Sequence, residues 1–131
     1  MSVMELQFDN TMMEALGMEV KELEKDKVVM TMPVHAATHQ PLGFLHGGAS
    51  VALAESAASI GAFHNINPET HRVFGVEINA NHIKSKREGV VTATAVPFHI
   101  GRNTMVWEIK ITDEAEKLIS ISRCTIGVVP L

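Results

Sequence analysis

Cysteine is nearly missing from this chain. Cys124 is the single one in 131 residues, which excludes an intrachain disulfide. It sits in an alternating, strand-like run and reads as a small core residue. No Cys/His spacing suggests zinc, so no metal site is expected. Basic clusters are missing too. Lys and Arg form nothing longer than Lys84-Ser85-Lys86-Arg87, and the formal net charge is -4. A nucleic-acid surface is therefore not expected. The segment Met1 to Gln7 lacks a basic region and a hydrophobic run. No signal peptide is read there, and the cytoplasm is the default location. No apolar run is long enough to span a bilayer, so no membrane association is expected. The seryl side chains offer no nucleophile elbow, because Ser50 and Ser56 lack the Gly-x-Ser-x-Gly frame. Repeats and linkers are absent, which leaves one domain over residues 1–131. Apolar residues make up 46% and charged residues 20%, an ordinary globular balance.

What is present centres on one stretch. Gln40-Pro41-Leu42-Gly43-Phe44-Leu45-His46-Gly47-Gly48 runs into a segment of Ala, Ser, Leu, Val, Ile and Gly that ends at Phe63. The second part reads as a helix of about 16 residues, roughly 24 Å long. It has no strongly polar face, which predicts burial all round. Glu55 is the only Asp, Glu, Lys or Arg between Gly43 and Glu69. A carboxylate in such a helix costs several kcal/mol unless it is paired, hydrogen-bonded or protonated. It is either a solvent-facing or loop-capping side chain, or a group held in a pocket for chemistry. His46-Gly47-Gly48 stands where the helix must begin, and its first N–H groups have no internal acceptor. Glycines leave those donors uncovered, which suits an oxyanion.

The rest of the chain reads as a short helix and six strands. Asp9 to Gly17 predicts the short helix, with Asp9 or Asn10 as cap and Gly17 as stop. Met18 to Leu23 and Lys27 to Pro33 predict a hairpin turning at Glu24-Lys25-Asp26. Arg72 to Ile83, Gly89 to Phe98, Thr104 to Thr112 and Leu118 to Val129 predict four further strands. Short links favour antiparallel pairing. The expected fold class is α+β, with an antiparallel sheet of about six strands wrapped around one long central helix. Exposed edge strands predict self-association.

The set Gln40-Pro41-x-Gly43-x-x-His46-Gly47-Gly48-Ala49, followed by Glu55, resembles the hotdog-fold acyl-CoA thioesterases over nearly the whole chain. The branch is that of the 1,4-dihydroxy-2-naphthoyl-CoA, 4-hydroxybenzoyl-CoA and phenylacetate-pathway thioesterases. The resemblance implies hydrolysis of an acyl-CoA thioester, with an aromatic acyl group favoured. It implies homodimers, often paired into tetramers, with sites at the dimer interface. It implies no cofactor, since coenzyme A belongs to the substrate. Pathways of menaquinone biosynthesis or aromatic degradation are the expected setting.

Roles follow from the residues and the resemblance together. The Gly47 N–H would hold the developing oxyanion. Glu55 would attack the carbonyl or activate a water, and the sequence leaves both routes open. By the resemblance, Gln40 and His46 line the same site. Gln40 orients the thioester or a water, or braces its loop. His46 holds the loop, contacts the thioester or assists the leaving thiolate. Ser59, four residues beyond Glu55, shares its face; by the resemblance its hydroxyl steadies water or substrate, and otherwise it is simply a small residue in a close-packed helix. His82 meets the acyl group by the same analogy, and Met12 or Met13 lines its pocket. Lys84, Lys86, Arg87 and Arg102 are candidates for the CoA phosphates. Gly47 and Glu55 lie about 12 Å apart along a helix. One carbonyl cannot touch both within a chain, so either they do different jobs or two antiparallel helices bring them together. The rival readings are a hotdog dehydratase or hydratase acting on CoA esters, and a non-catalytic acyl-CoA binding protein.

Overall fold

The computed structural model describes residues 7–131; the segment read for a targeting signal lies outside them but for Gln7. Its element order is α1 (Met12–Ala15), β1 (Glu19–Glu24), β2 (Lys27–Pro33), α2 (Gly47–Phe63), β3 (His71–His82), β4 (Val90–Ile100), β5 (Thr104–Thr112) and β6 (Leu118–Pro130). A 3-10 turn at Ala36–Thr38 leads toward the helix. All five strand pairings are antiparallel, and the order across the sheet is β1-β2-β4-β5-β6-β3.

Alternation dictates the core. Val28, Met30 and Met32 of β2 are fully buried, as are Val91, Ala93 and Ala95 of β4. Trp107, Ile109 and Ile111 of β5 join them beneath α2. Each large side chain so buried contributes about 1.5–3 kcal/mol. The small residues of α2 let the sheet curl close. A Cβ on Gly61 would stand only 2.5 Å from the fully buried Trp107 ring.

The helix departs from the expectation of burial all round. Val51, Ala52, Glu55, Ser56 and Ser59 are half-buried and, at spacings of three and four, form one open stripe. The short helix also starts later than Asp9 or Asn10 would allow. Asn10 takes the left-handed conformation (φ 60), and the cap is Thr11, whose hydroxyl accepts from the Glu14 N–H.

Neighbours in sequence are not always neighbours in the sheet. β3 pairs with β6 at the far edge, while β4 lies between β2 and β5. The link of residues 83–89 therefore crosses the ends of two strands. It is tied down on the way: the N–H groups of Ile83 and Lys84 donate to Ile119 O. Lys84 Nζ pairs with Asp113 at 3.2 Å, and Lys86 Nζ with Glu114 at 2.6 Å.

The two sheet edges differ. β1 is short and carries Glu19, Lys21, Glu22 and Glu24, charges that discourage edge pairing. β3 runs twelve residues and presents Phe74 and Val76, 61% and 67% exposed. That edge is long and open, with an apolar patch at Phe74 and Val76.

Candidate active site

His46 opens the helix. Its backbone is extended (φ -69, ψ 130), and its carbonyl accepts from the Ala49 and Ser50 N–H groups at 3.0 and 3.2 Å. Its Nδ1 accepts from the Gly48 N–H at 2.8 Å. An accepting Nδ1 places the ring hydrogen of the neutral imidazole on Nε2. The side chain is thus a helix cap with a donor on its far side. The Gly47 N–H is left without an acceptor among the described residues. It sits at the positive end of a 17-residue helix.

Gly47 lines a cleft of about 360 Å³ with Gln40, Phe44, Leu45, Ser50, His82, Ile83, Lys84, Ser85 and Ile119. The loop before the helix is self-braced. Gln40 Oε1 accepts from the Leu42 and Phe44 N–H groups. Gly43 takes a left-handed conformation (φ 86) that closes the turn back to Gln40 O. With its oxygen so engaged, Gln40 offers the cleft its amide N–H groups. Of the two roles open in the sequence, it fills the bracing one outright and keeps a donor for the other. His82, at the end of β3, lies over the helix start. A Cβ on Gly47 would stand 2.9 to 3.4 Å from three atoms of its ring. Glycine leaves room here for the His82 ring; its backbone angle does not call for glycine.

Glu55 is not in this cleft. Two turns along the helix, it points to the open side, and its carboxylate lies across Gly75 on edge strand β3. Ser59 is one turn further on the same stripe, half-buried. Ser56 and Ile60 line a second, apolar cleft of about 390 Å³ with Phe8, Met12 and Met13. One chain therefore brings Gln40, Gly47 and His82 together and leaves Glu55 and Ser59 apart from them.

The basic candidates divide. Lys84 borders the first cleft, paired with Asp113. Arg87 does not line the cleft, but its guanidinium stacks over the ring of the lining residue Phe44 at 4.1 Å, and its backbone carbonyl meets His39 Nε2 at 2.8 Å. Lys86 is held by Glu114, whose carboxyl falls from its ordinary 4.5 to about 2 through Lys86 and the Val90 N–H. Arg102 lies at the other end of α2, beside Asn65, Thr70 and His71. No cluster of His, Cys, Asp and Glu with metal-binding geometry occurs among the described residues. None of their helices is long and apolar enough to cross a membrane. Two contributors escaped the sequence reading. Gly75 had a signal, an isolated glycine in a strand pattern. The Lys86–Glu114 tie had none, since its partners are 28 residues apart.

Comparison with known proteins identifies the family. The family model described as Thioesterase superfamily matches residues 42–120. The chain is 60% identical over 115 residues to a 1,4-dihydroxy-2-naphthoyl-CoA hydrolase of Listeria monocytogenes, covering 88% of this chain and 93% of that one. A mutant thioesterase of Pseudomonas aeruginosa superposes with a TM-score of 0.92 at 40% identity, covering 95% and 89% of the two chains. A thioesterase of Haemophilus influenzae superposes with a TM-score of 0.90 at 43% identity, covering 95% and 86%. The curled sheet around a central helix is the hotdog fold of these relatives.

Proposed function

Since the chain belongs to the thioesterase superfamily and hydrolyses acyl-CoA thioesters, we propose that its substrate is an aromatic acyl-CoA of the 1,4-dihydroxy-2-naphthoyl or hydroxybenzoyl class. We further propose that each site is built by two chains. The observation that carries the second point is the separation just described. The unpartnered Gly47 N–H opens into one cleft, while Glu55 sits about 12 Å along the helix, on the open edge of β3.

Antiparallel pairing of two β3 strands would satisfy that edge and cover Phe74 and Val76. It would also set two α2 helices side by side in opposite directions, placing Glu55 of one chain opposite Gly47 of the other. Two such sites result per dimer. Two dimers can then pair into a tetramer, and the cytoplasm is the proposed location.

Chemistry follows from the groups. The thioester oxygen accepts from the Gly47 N–H, reinforced by the helix dipole, and that contact strengthens as the oxygen gains charge. Gln40 donates from the loop to orient the ester. Glu55 takes a proton from water, which attacks the carbonyl carbon; direct attack by the carboxylate is the other route. The C–S bond breaks, the thiolate takes up a proton, and free acid and coenzyme A leave. No cofactor enters these steps. The acyl group lies between the helices, with the apolar cleft of Met12, Met13 and Ile60 within reach. Lys84 and Arg87, at the mouth of the first cleft, meet the CoA phosphates with Arg102 of a neighbouring chain.

A panel of acyl-CoAs with free-thiol detection tests the substrate, and aromatic esters should be turned over best. Mixed dimers test the shared site. Glu55→Gln chains and Gly47→Pro chains, the latter lacking the N–H at a first helical position that tolerates proline, are each of low activity alone and should recover about a quarter of wild-type turnover after random mixing, because half the dimers then hold one intact site. No recovery in verified mixed dimers would sink the shared site.

A further inference from the structure

The carboxylate assigned above to water activation is seated against a residue with no side chain. A Cβ on Gly75 would stand 3.1 Å from Glu55 Cδ and closer still to Oε2, inside the 3.4 Å at which ordinary contact begins. Nothing else in the strand asks for glycine. Its φ is outside the left-handed region that Gly17, Gly43 and Gly89 occupy. Glycine inside a strand weakens it, and commonly marks a bulge or a close approach. Both marks are here. Between Gly75 and Glu77 the register against β6 slips by one residue, so Val76 is the bulged position. Bulges next to sites re-aim the chain around them.

We infer that Gly75 is a positioning residue for thioester hydrolysis: its bare Cα, next to the bulge, sets where Glu55 presents its carboxylate at the open edge of β3. This rests on the thioesterase reading given above. The clash that a methyl at Gly75 creates falls on the tip of a flexible side chain, not on backbone. The fold accommodates it by moving the carboxylate, on the order of 1 Å, a displacement that costs about 100-fold in rate.

The test compares wild type, Gly75→Ala, Glu55→Gln and the double variant. Turnover is followed by free-thiol release on the best acyl-CoA of the panel, with melting temperature and oligomer size alongside. Gly75→Ala should lower kcat about 100-fold with KM within about 2-fold, the pattern of a lost transition-state interaction. Melting and assembly should be unchanged. In the Glu55→Gln background the added alanine should change nothing, because its target is gone. Wild-type kcat in Gly75→Ala overturns the inference. So does a further loss in the Glu55→Gln background, which would mean a general defect of strand or interface. A wild-type protein that releases thiol from no ester removes the thioesterase reading itself, and this inference with it.

Discussion

Replacement of His46 separates its two nitrogens. Nδ1 holds the helix start through the Gly48 N–H at 2.8 Å, while Nε2 carries the hydrogen on the far side. Asparagine places its amide oxygen near the position of Nδ1 and is itself a preferred N-cap. Glutamine reaches toward Nε2 but caps poorly. His46→Ala should lose the cap, worth about 1 kcal/mol. For a chain of 131 residues that lowers Tm by roughly 3–5 °C. His46→Asn should melt within about 1 °C of wild type, and His46→Gln should melt like His46→Ala. Turnover then reports the other nitrogen. If Nε2–H meets the substrate or the departing thiolate, His46→Asn falls by about 10- to 100-fold in kcat despite its intact cap. Thermal melts and free-thiol kinetics on the three variants read both quantities. Equal melting temperatures for His46→Asn and His46→Ala would refute the capping role. Full turnover in His46→Asn would refute any chemical role for the ring.

Other expectations follow from packing and charge. Gly61→Ala presses a methyl onto the fully buried Trp107 ring and should cost about 1–3 kcal/mol, read as an early melt. Glu114 has a folded-state carboxyl depressed to about 2, so its stabilisation is present above the unfolded value and lost as pH falls toward 2. The Tm difference between wild type and Glu114→Gln should therefore shrink from pH 5 to pH 2; a constant difference would contradict the pairing. The Cys124 thiol is pushed up to about 12 by burial, with Glu55 and Glu77 adding to it. Iodoacetamide should leave it unmodified in the native protein at pH 8 and label it in denaturant, as mass spectrometry would show.

Much of the fold was legible because two periods carried it. The run of small residues from Gly47 to Phe63 pointed to a helix close to a sheet; alternation marked β3, β5 and β6 and, weakly, β2, while β4 showed through its Val, Thr and Ala content and β1 through the polar turn that follows it. Strand order was not legible. Alternation says which face a residue takes but not which strand lies beside it, so the crossing of β3 to the far edge had no local signature. The open stripe on α2 was hidden for a related reason. Ala52, Ser56 and Ser59 are as compatible with burial as Ala54 and Ala58, and only the sheet's curl decides between them. At the candidate site, Gly47 and Glu55 stood out because their residue types are anomalous in their surroundings, while Gln40 was reached only through the family resemblance. Lys84 and Lys86 read as free cations, but their acidic partners belong to a turn nearly thirty residues away.

That turn governs more than its own hairpin. Asp113 accepts from the Ala115 and Lys117 N–H groups and holds Lys84; Glu114 holds Lys86 and the Val90 N–H. Residues 113–117 thus act as a hinge-pin for the cleft mouth, although none of them lines it. Lengthening or resculpting this solvent-facing bend would widen or narrow that entrance, with every lining side chain unaltered.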